Sequence, residues 1–246
     1  GTSFTNDASA TGIGTIDSTG SVNTTSGFSI ISYTGNGTGN STIAHGLGAV
    51  PEIIIVKNRT SISGWGVKNP LYNSPSDPNV LYLDTTGSVD SAQNVWGTSA
   101  SFTTSTFTVG DWGGSNTSGN NHIAYCFNSV QGYSKFGIYT GNGNADGPFV
   151  YTGFKPAFVL QKQTNTTMNW HIWDNKRNIY NAVDKFLYAD LSNAEDTLSP
   201  GLDMLSNGFK IRDSRNFLNA SGGTYIYMAF AENPFVTSTA IPACAR

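Results

Sequence analysis

The sequence predicts an all-β protein of two tandem β-sandwich or jelly-roll-like repeats related by internal duplication. Three observations predict it. Six short blocks recur in the same order in both halves, each block has the make-up of a strand, and helical periodicity is nearly absent. A chain of 246 residues holds one large β domain or two of about 100 residues each, with a sizeable core either way.

The first block, Tyr33-Thr-Gly-Asn-Gly37, returns as Tyr139-Thr-Gly-Asn-Gly143. Pro51-Glu-Ile-Ile-Ile-Val-Lys57 matches Pro156-Ala-Phe-Val-Leu-Gln-Lys162, and Trp65 matches Trp170. Leu81-Tyr-Leu-Asp84 matches Leu187-Tyr-Ala-Asp190, and Phe107-Thr-Val-Gly-Asp111 matches Phe209-Lys-Ile-Arg-Asp213. The last block, Ser118 to Phe127, matches Ser221 to Phe230. Spacing drifts between blocks, where loops belong. Ile53–Val56 and Phe158–Leu160 are apolar runs just after a proline, which suits buried strands. The Asn-Gly pairs at 36–37 and 142–143 predict tight hairpin turns. Ser118-Gly and Ser221-Gly predict turns into the last strand of each repeat. At most one short helix per repeat is expected, near Ser91–Val95 and Asn193–Thr197. The organisation read from this is a polar linker or extended arm at 1–27, a first repeat at 28–134, and a second repeat with a C-terminal tail at 135–246. The arm is too poor in apolar residues to fold alone.

Only 12% of residues are charged, so the surface is polar through Asn, Ser, Thr and Gly. A net charge of -3 and a pI near 5.5 argue against nucleic acid as a partner. No apolar run approaches the roughly 20 residues of a membrane helix, and membrane insertion is not expected. Two cysteines, Cys126 and Cys244, make one bond at most, and no disulfide is expected. Asn-x-Ser/Thr triplets occur at Asn23, Asn36, Asn40, Asn58, Asn116, Asn165 and Asn219. In a chain this rich in Asn, Ser and Thr they read as solvated turns rather than sugar acceptors.

The two copies allow an internal comparison. Residues kept in both lean towards scaffold: Tyr33/Tyr139, Trp65/Trp170, Tyr82/Tyr188, Asp84/Asp190 and Asp111/Asp213. The shared aspartates are expected to cap turns; no calcium-loop spacing assigns them a metal. Trp96, Trp112, His122, Trp173, Arg177 and Arg215 have no identical partner and are free to specialise. Trp and Arg anchor interfaces, so Trp112, His122, Trp173, Arg177 and Arg215 are the candidate ligand contacts. Trp112 sits in a Gly-rich loop; Trp173 and Arg177 lie in Trp170-His-Ile-Trp-Asp-Asn-Lys-Arg177, where one strand face is expected to pack the core and the other to meet a ligand. No nucleophile elbow, metalloprotease motif or phosphate loop is present, and no pair among the acids is singled out for glycoside cleavage. No enzyme activity, cofactor or metal is expected.

These blocks, together with His45-Gly-Leu-Gly, Gly132-Tyr-Ser-Lys-Phe-Gly, Asp146-Gly-Pro-Phe-Val-Tyr-Thr-Gly-Phe-Lys-Pro and Leu205-Ser-Asn-Gly-Phe-Lys, resemble a tandem-repeat family of bacteriophage tail-fibre-like structural proteins, common in marine phages. The resemblance covers about residues 28–235 and implies a virion surface protein, the C-terminal part of a longer fibre. It implies assembly with other copies of itself as a homotrimer and with other virion proteins. A host-surface glycan or protein is the expected external partner. It carries over no catalytic residue. A head-decoration or fibre-shaft protein without a ligand is the alternative, and a depolymerase is a third.

Overall fold

A computed structural model of the chain describes residues 1–69, 80–91, 93–178 and 180–234. The chain is all-β, 45% strand and 5% helix. It divides into two compact units. The first takes in Gly1–Leu83 and Val89–Asn128; the second takes in Asp84–Ser88 and the residues from Ser129 on.

The first unit begins with β1 (Thr2–Asn6), α1 (Ala8–Thr11), β2 (Ser18–Asn23) and β3 (Phe28–Thr34). β4 (Ser41–Ala44), β5 (Ile53–Asn58), β6 (Gly66–Lys68) and β7 (Leu81–Tyr82) follow. β8 (Thr106–Val109), α2 (Gly113–Asn116) and β9 (Asn121–Phe127) complete it. Seven strands form one antiparallel sheet in the order β1-β2-β3-β9-β5-β6-β7, and β4 pairs with β8 in a second, small sheet. β3 and β9 alternate between buried and partly exposed residues along their length. This period-2 pattern puts Ile31, Tyr33, Ala124 and Cys126 into the core with Ile54, Val56, Phe107 and Trp96.

The second unit holds β10 (Ser134–Thr140), β11 (Phe149–Tyr151), β12 (Pro156–Gln163) and β13 (Trp170–Asp174). It continues through β14 (Val183–Tyr188), β15 (Asp196–Leu205), β16 (Gly208–Ile211), α3 (Asn216–Asn219) and β17 (Thr224–Ala231). All eight strands join one sheet, β10-β17-β12-β13-β14-β15-β16-β11. The long β15 links the β11–β16 pair to the rest, where the corresponding β4–β8 pair of the first unit stays separate. The sheet curls so that β12 also meets β15, giving a nearly closed, barrel-like wall around Trp173, Phe186, Leu202 and Phe209.

The same succession of sequence blocks builds both sheets, β3-β9-β5-β6-β7 in one and β10-β17-β12-β13-β14 in the other. Four details differ from expectation. Residues 1–27 are not a linker or an arm ordered by other chains: β1 and β2 extend this unit's own sheet through full backbone ladders onto β3. Phe4, Ile16 and Val22 supply enough apolar surface once β3 offers an edge to pair with. The Asn-Gly pairs do not close hairpins, since β3 pairs with β2 and β9 but not with β4, and β10 does not pair with β11. They lie on connections out of the main strand pairings, where Gly37 and Gly143 take positive φ values of 72° and 69°. The helix expected near Asn193–Thr197 is irregular chain running into β15, and residues 91–95, of which Ala92 lies outside the described residues, contain no described helix. Single helical turns sit instead at α1, between β1 and β2, and at α2 and α3, just before the last strand of each unit. Cys126 is buried in the first core, and its thiol is pushed up to about 12 by burial. Cys244 lies outside the described residues.

Candidate functional site

The residues singled out from sequence are distributed over both units, and most serve packing. Trp173 is fully buried in the core of the second unit, 4.8 Å from the Phe186 ring. The expected division of β13 into a core face and a ligand face does not hold, because Trp170 and His171 are buried as well. Trp96 is likewise a core residue of the first unit. His122 is buried and stacks on Tyr33, ring centroids 5.2 Å apart, with Nδ1 3.0 Å from the Asn120 carbonyl. Burial lowers its pKa. It is not placed to meet a ligand.

Trp112 is partly exposed, but its ring folds back over its own turn and packs 5.5 Å from Tyr82. A Cβ on Gly114 would lie 1.9 Å from the Trp112 ring, so the glycines there make room for the indole. Arg177 is held by Asp174 at 2.6 Å and Glu195 at 3.0 Å, and Arg215 is 3.8 Å from Asp213. These are ordinary surface pairs worth little each. Among the scaffold pairs, the Tyr33 and Tyr139 hydroxyls donate to the carbonyls of Ser115 and Leu218. Asp213 accepts from the Arg215 backbone N–H two residues on, as a turn cap does, whereas Asp190 caps no turn of its own and accepts from the Trp170 backbone N–H, 20 residues earlier. Asp111 accepts instead from the Asn94 side-chain amide.

One pair divides. Trp170 is buried, whereas Trp65 lies partly exposed in an open cleft of about 770 Å³ on the first unit. The cleft follows from strand register. Lys57 faces Ile123 and Ile55 faces Tyr125 across β5 and β9, and the buried residues between them point the other way into the core. Val56 pairs with Gly66, which sets Trp65 beside Lys57. The Trp65 and Tyr125 rings lie near-parallel, 6.5 Å apart and tilted by 22°. The Lys57 ammonium sits 5.7 Å from the Trp65 ring centroid and donates to the Ser63 carbonyl. Arg59, Thr60, Ser61 and Ile62 form the far wall.

That wall is fixed by hydrogen bonds. Asn58 Oδ1 accepts from the backbone N–H of Thr60 and Ser61, at 2.9 and 3.0 Å. Asn58 Nδ2 donates to the Gly113 carbonyl, and Asn120 Nδ2 to Ser61 Oγ at 2.7 Å. A cleft so braced gives up little entropy when it is filled. Its chemistry is a flat aromatic surface ringed by amides, hydroxyls and two cations, and the lining includes no carboxylate among the described residues. Sequence comparison passed over it because Trp65 and Lys57 recur as Trp170 and Lys162. The available signals were Arg59 and Tyr125, whose matching positions hold Thr164 and Met228.

Fold and cleft together define an all-β protein with an open aromatic and cationic surface site. The chain belongs to the family described as a domain of unknown function (DUF7483), which matches residues 4–234. No curated protein and no solved structure matches it.

Proposed function

We propose that this chain is a virion surface protein, the C-terminal part of a bacteriophage tail fibre, that adheres to a host-surface glycan through the Trp65–Tyr125 cleft. The sequence resemblance supports the virion assignment. The binding role is carried by one observation: Trp65 and Tyr125 present near-parallel rings in a braced, solvent-open cleft. Aromatic faces stack on the C–H face of sugar rings, while amides and hydroxyls at the rim bond their hydroxyl groups. Among the described residues the lining has no carboxylate pair of the kind that cleaves glycosidic bonds, which favours adhesion over degradation. Assembly as a homotrimer with other virion proteins belongs to the same reading.

Adsorption of fluorescently labelled protein to a panel of bacterial strains tests it. Saturable adsorption is expected, lost after periodate oxidation of the cell-surface sugars and lost in Trp65→Ala. Adsorption that survives both treatments contradicts a glycan site at Trp65. Absence of adsorption to every strain favours a purely structural virion part.

A further inference from the structure

Resting on the glycan-binding reading, we propose that the cleft takes an anionic sugar, with a ring stacked against Trp65 and Tyr125 and its carboxylate or sulfate group held by Lys57 and Arg59. The first observation is where the charge sits. Residues 1–128 contain only three Lys and Arg side chains, Lys57, Arg59 and Lys68. Lys68 is buried and donates to the carbonyls of Pro51 and Glu52. The other two both line this one cleft.

The second observation is their pairing. Neither Lys57 nor Arg59 forms an ion pair with a described residue. In the second unit, Lys155, Lys176, Arg177, Lys185, Lys210, Arg212 and Arg215 all do. Lys57 Nζ donates to Ser63 O, and an ammonium has three donors, so capacity for an anion remains. The Arg59 backbone N–H is tied to the Asn121 carbonyl at 2.8 Å, which anchors the base of a side chain suited to forked carboxylate or sulfate recognition.

The third observation is the matching location in the second unit. There Lys162, Trp170, Ile226 and Met228 are 0, 2, 2 and 6% exposed. Lys162 Nζ donates to the carbonyls of Gln163 and Thr166 and is closed off from solvent. Thr164 stands where Arg59 does. One framework is thus closed and without the second cation in one unit, and open and cationic in the other. Among the lining positions that differ between the units, Arg59 and Tyr125 are the ones that add the cation fork and the second ring.

Affinity electrophoresis and calorimetry on the full chain test this with three polymers: polygalacturonate, dextran sulfate and neutral dextran. The variants are Arg59→Gln and Tyr125→Met, both on partly or fully exposed side chains, with thermal melts to confirm folding. Wild type is expected to bind at least one anionic polymer ~10-fold or more tighter than dextran, with affinity falling as salt rises. Arg59→Gln is expected to lose about 10-fold in that affinity without a change in melting temperature. The polygalacturonate and dextran sulfate arms separate a carboxylate from a sulfate ligand. Equal binding of neutral dextran, or unchanged affinity in Arg59→Gln, overturns the proposal. Periodate-sensitive cell adsorption that ignores both salt and Arg59→Gln also overturns it while leaving the adhesin reading in place. A protein that adsorbs to no cell and binds none of the polymers removes both.

Discussion

Asn116 and Asn219 show how single residues hold this fold. Both are fully buried. Asn116 Nδ2 donates to Asn36 Oδ1, the Thr38 carbonyl and the Gly110 carbonyl, and its Oδ1 accepts from the Asn36 N–H. Asn219 repeats the set with Asn142, Asn144 and Asp213. Each asparagine pins a Tyr-Thr-Gly-Asn-Gly crossing to the helical turn before the last strand. Asn219→Ala would strand several buried backbone groups, at a cost of about 3 kcal/mol in urea unfolding; a loss below about 1 kcal/mol would contradict the pinning role. The triplet reading failed here for a physical reason: Asn58, Asn116 and Asn219 are buried hubs, not solvated turns, and composition does not distinguish the two. His171 supplies a pH prediction. It is buried, stacked on Phe217 at 4.5 Å, and its pKa is lowered to about 4 by burial and by Lys162. The unfolded chain takes up a proton below about pH 6.5 and the folded chain does not until about pH 4, so stability falls as pH drops through this window. The loss is on the order of 3 kcal/mol, and His45 and His122 add to it in the same direction. Melts from pH 7 to pH 4 should show a steep decline in wild type and a shallower one in His171→Asn. Equal slopes would remove His171 from the effect.

Among elements, the strands were the most legible part of the chain. β5 and β12 were visible as apolar runs behind Pro51 and Pro156, and both became interior strands of their sheets; β12 is buried on both faces over its second half, whereas Ile55 and Lys57 leave one face of β5 partly open. The turns at Ser118-Gly119 and Ser221-Gly222 were visible too, and both glycines take positive φ. What could not be read was partnership. An Asn-Gly pair signals a reversal of the chain but not which strand lies beside it, and α2 and α3 are too short for helical periodicity to register. The N-terminal hairpin escaped for a related reason. Its ladder to β3 is made by backbone groups, which composition does not report, and only Phe4, Ile16 and Val22 mark its packed side. Removing residues 1–27 should therefore cost on the order of 5 kcal/mol by burial of those three side chains alone, comparable to the stability of a whole domain. It should also bare the β3 edge and drive self-association, seen as a shift to early elution in size-exclusion chromatography. A truncated chain that stays monodisperse and melts like wild type would show the hairpin to be dispensable.

For the molecule as a whole, scarcity of charge shapes both stability and recognition. With 12% charged residues, the surface is solvated by hydroxyls and amides, and the few basic groups are informative by position. Seven of them close ion pairs in the second unit; two stand in the Trp65 cleft of the first. Sequence comparison between the halves marked out the strands and passed over the Trp65 cleft, because it assumed that residues shared by both halves serve only the frame. Trp65 and Trp170 share a position and differ in exposure, and exposure is a property of the packed chain that no pairwise match of letters contains. The measurement that bears most directly on a glycan site at Trp65 is a crystal structure of the full chain with an acidic trisaccharide such as trigalacturonate. The predicted result is a sugar ring stacked on Trp65 with its carboxylate against Arg59. A trisaccharide bound at another surface, or a Trp65 cleft left empty at saturating trisaccharide, would contradict it.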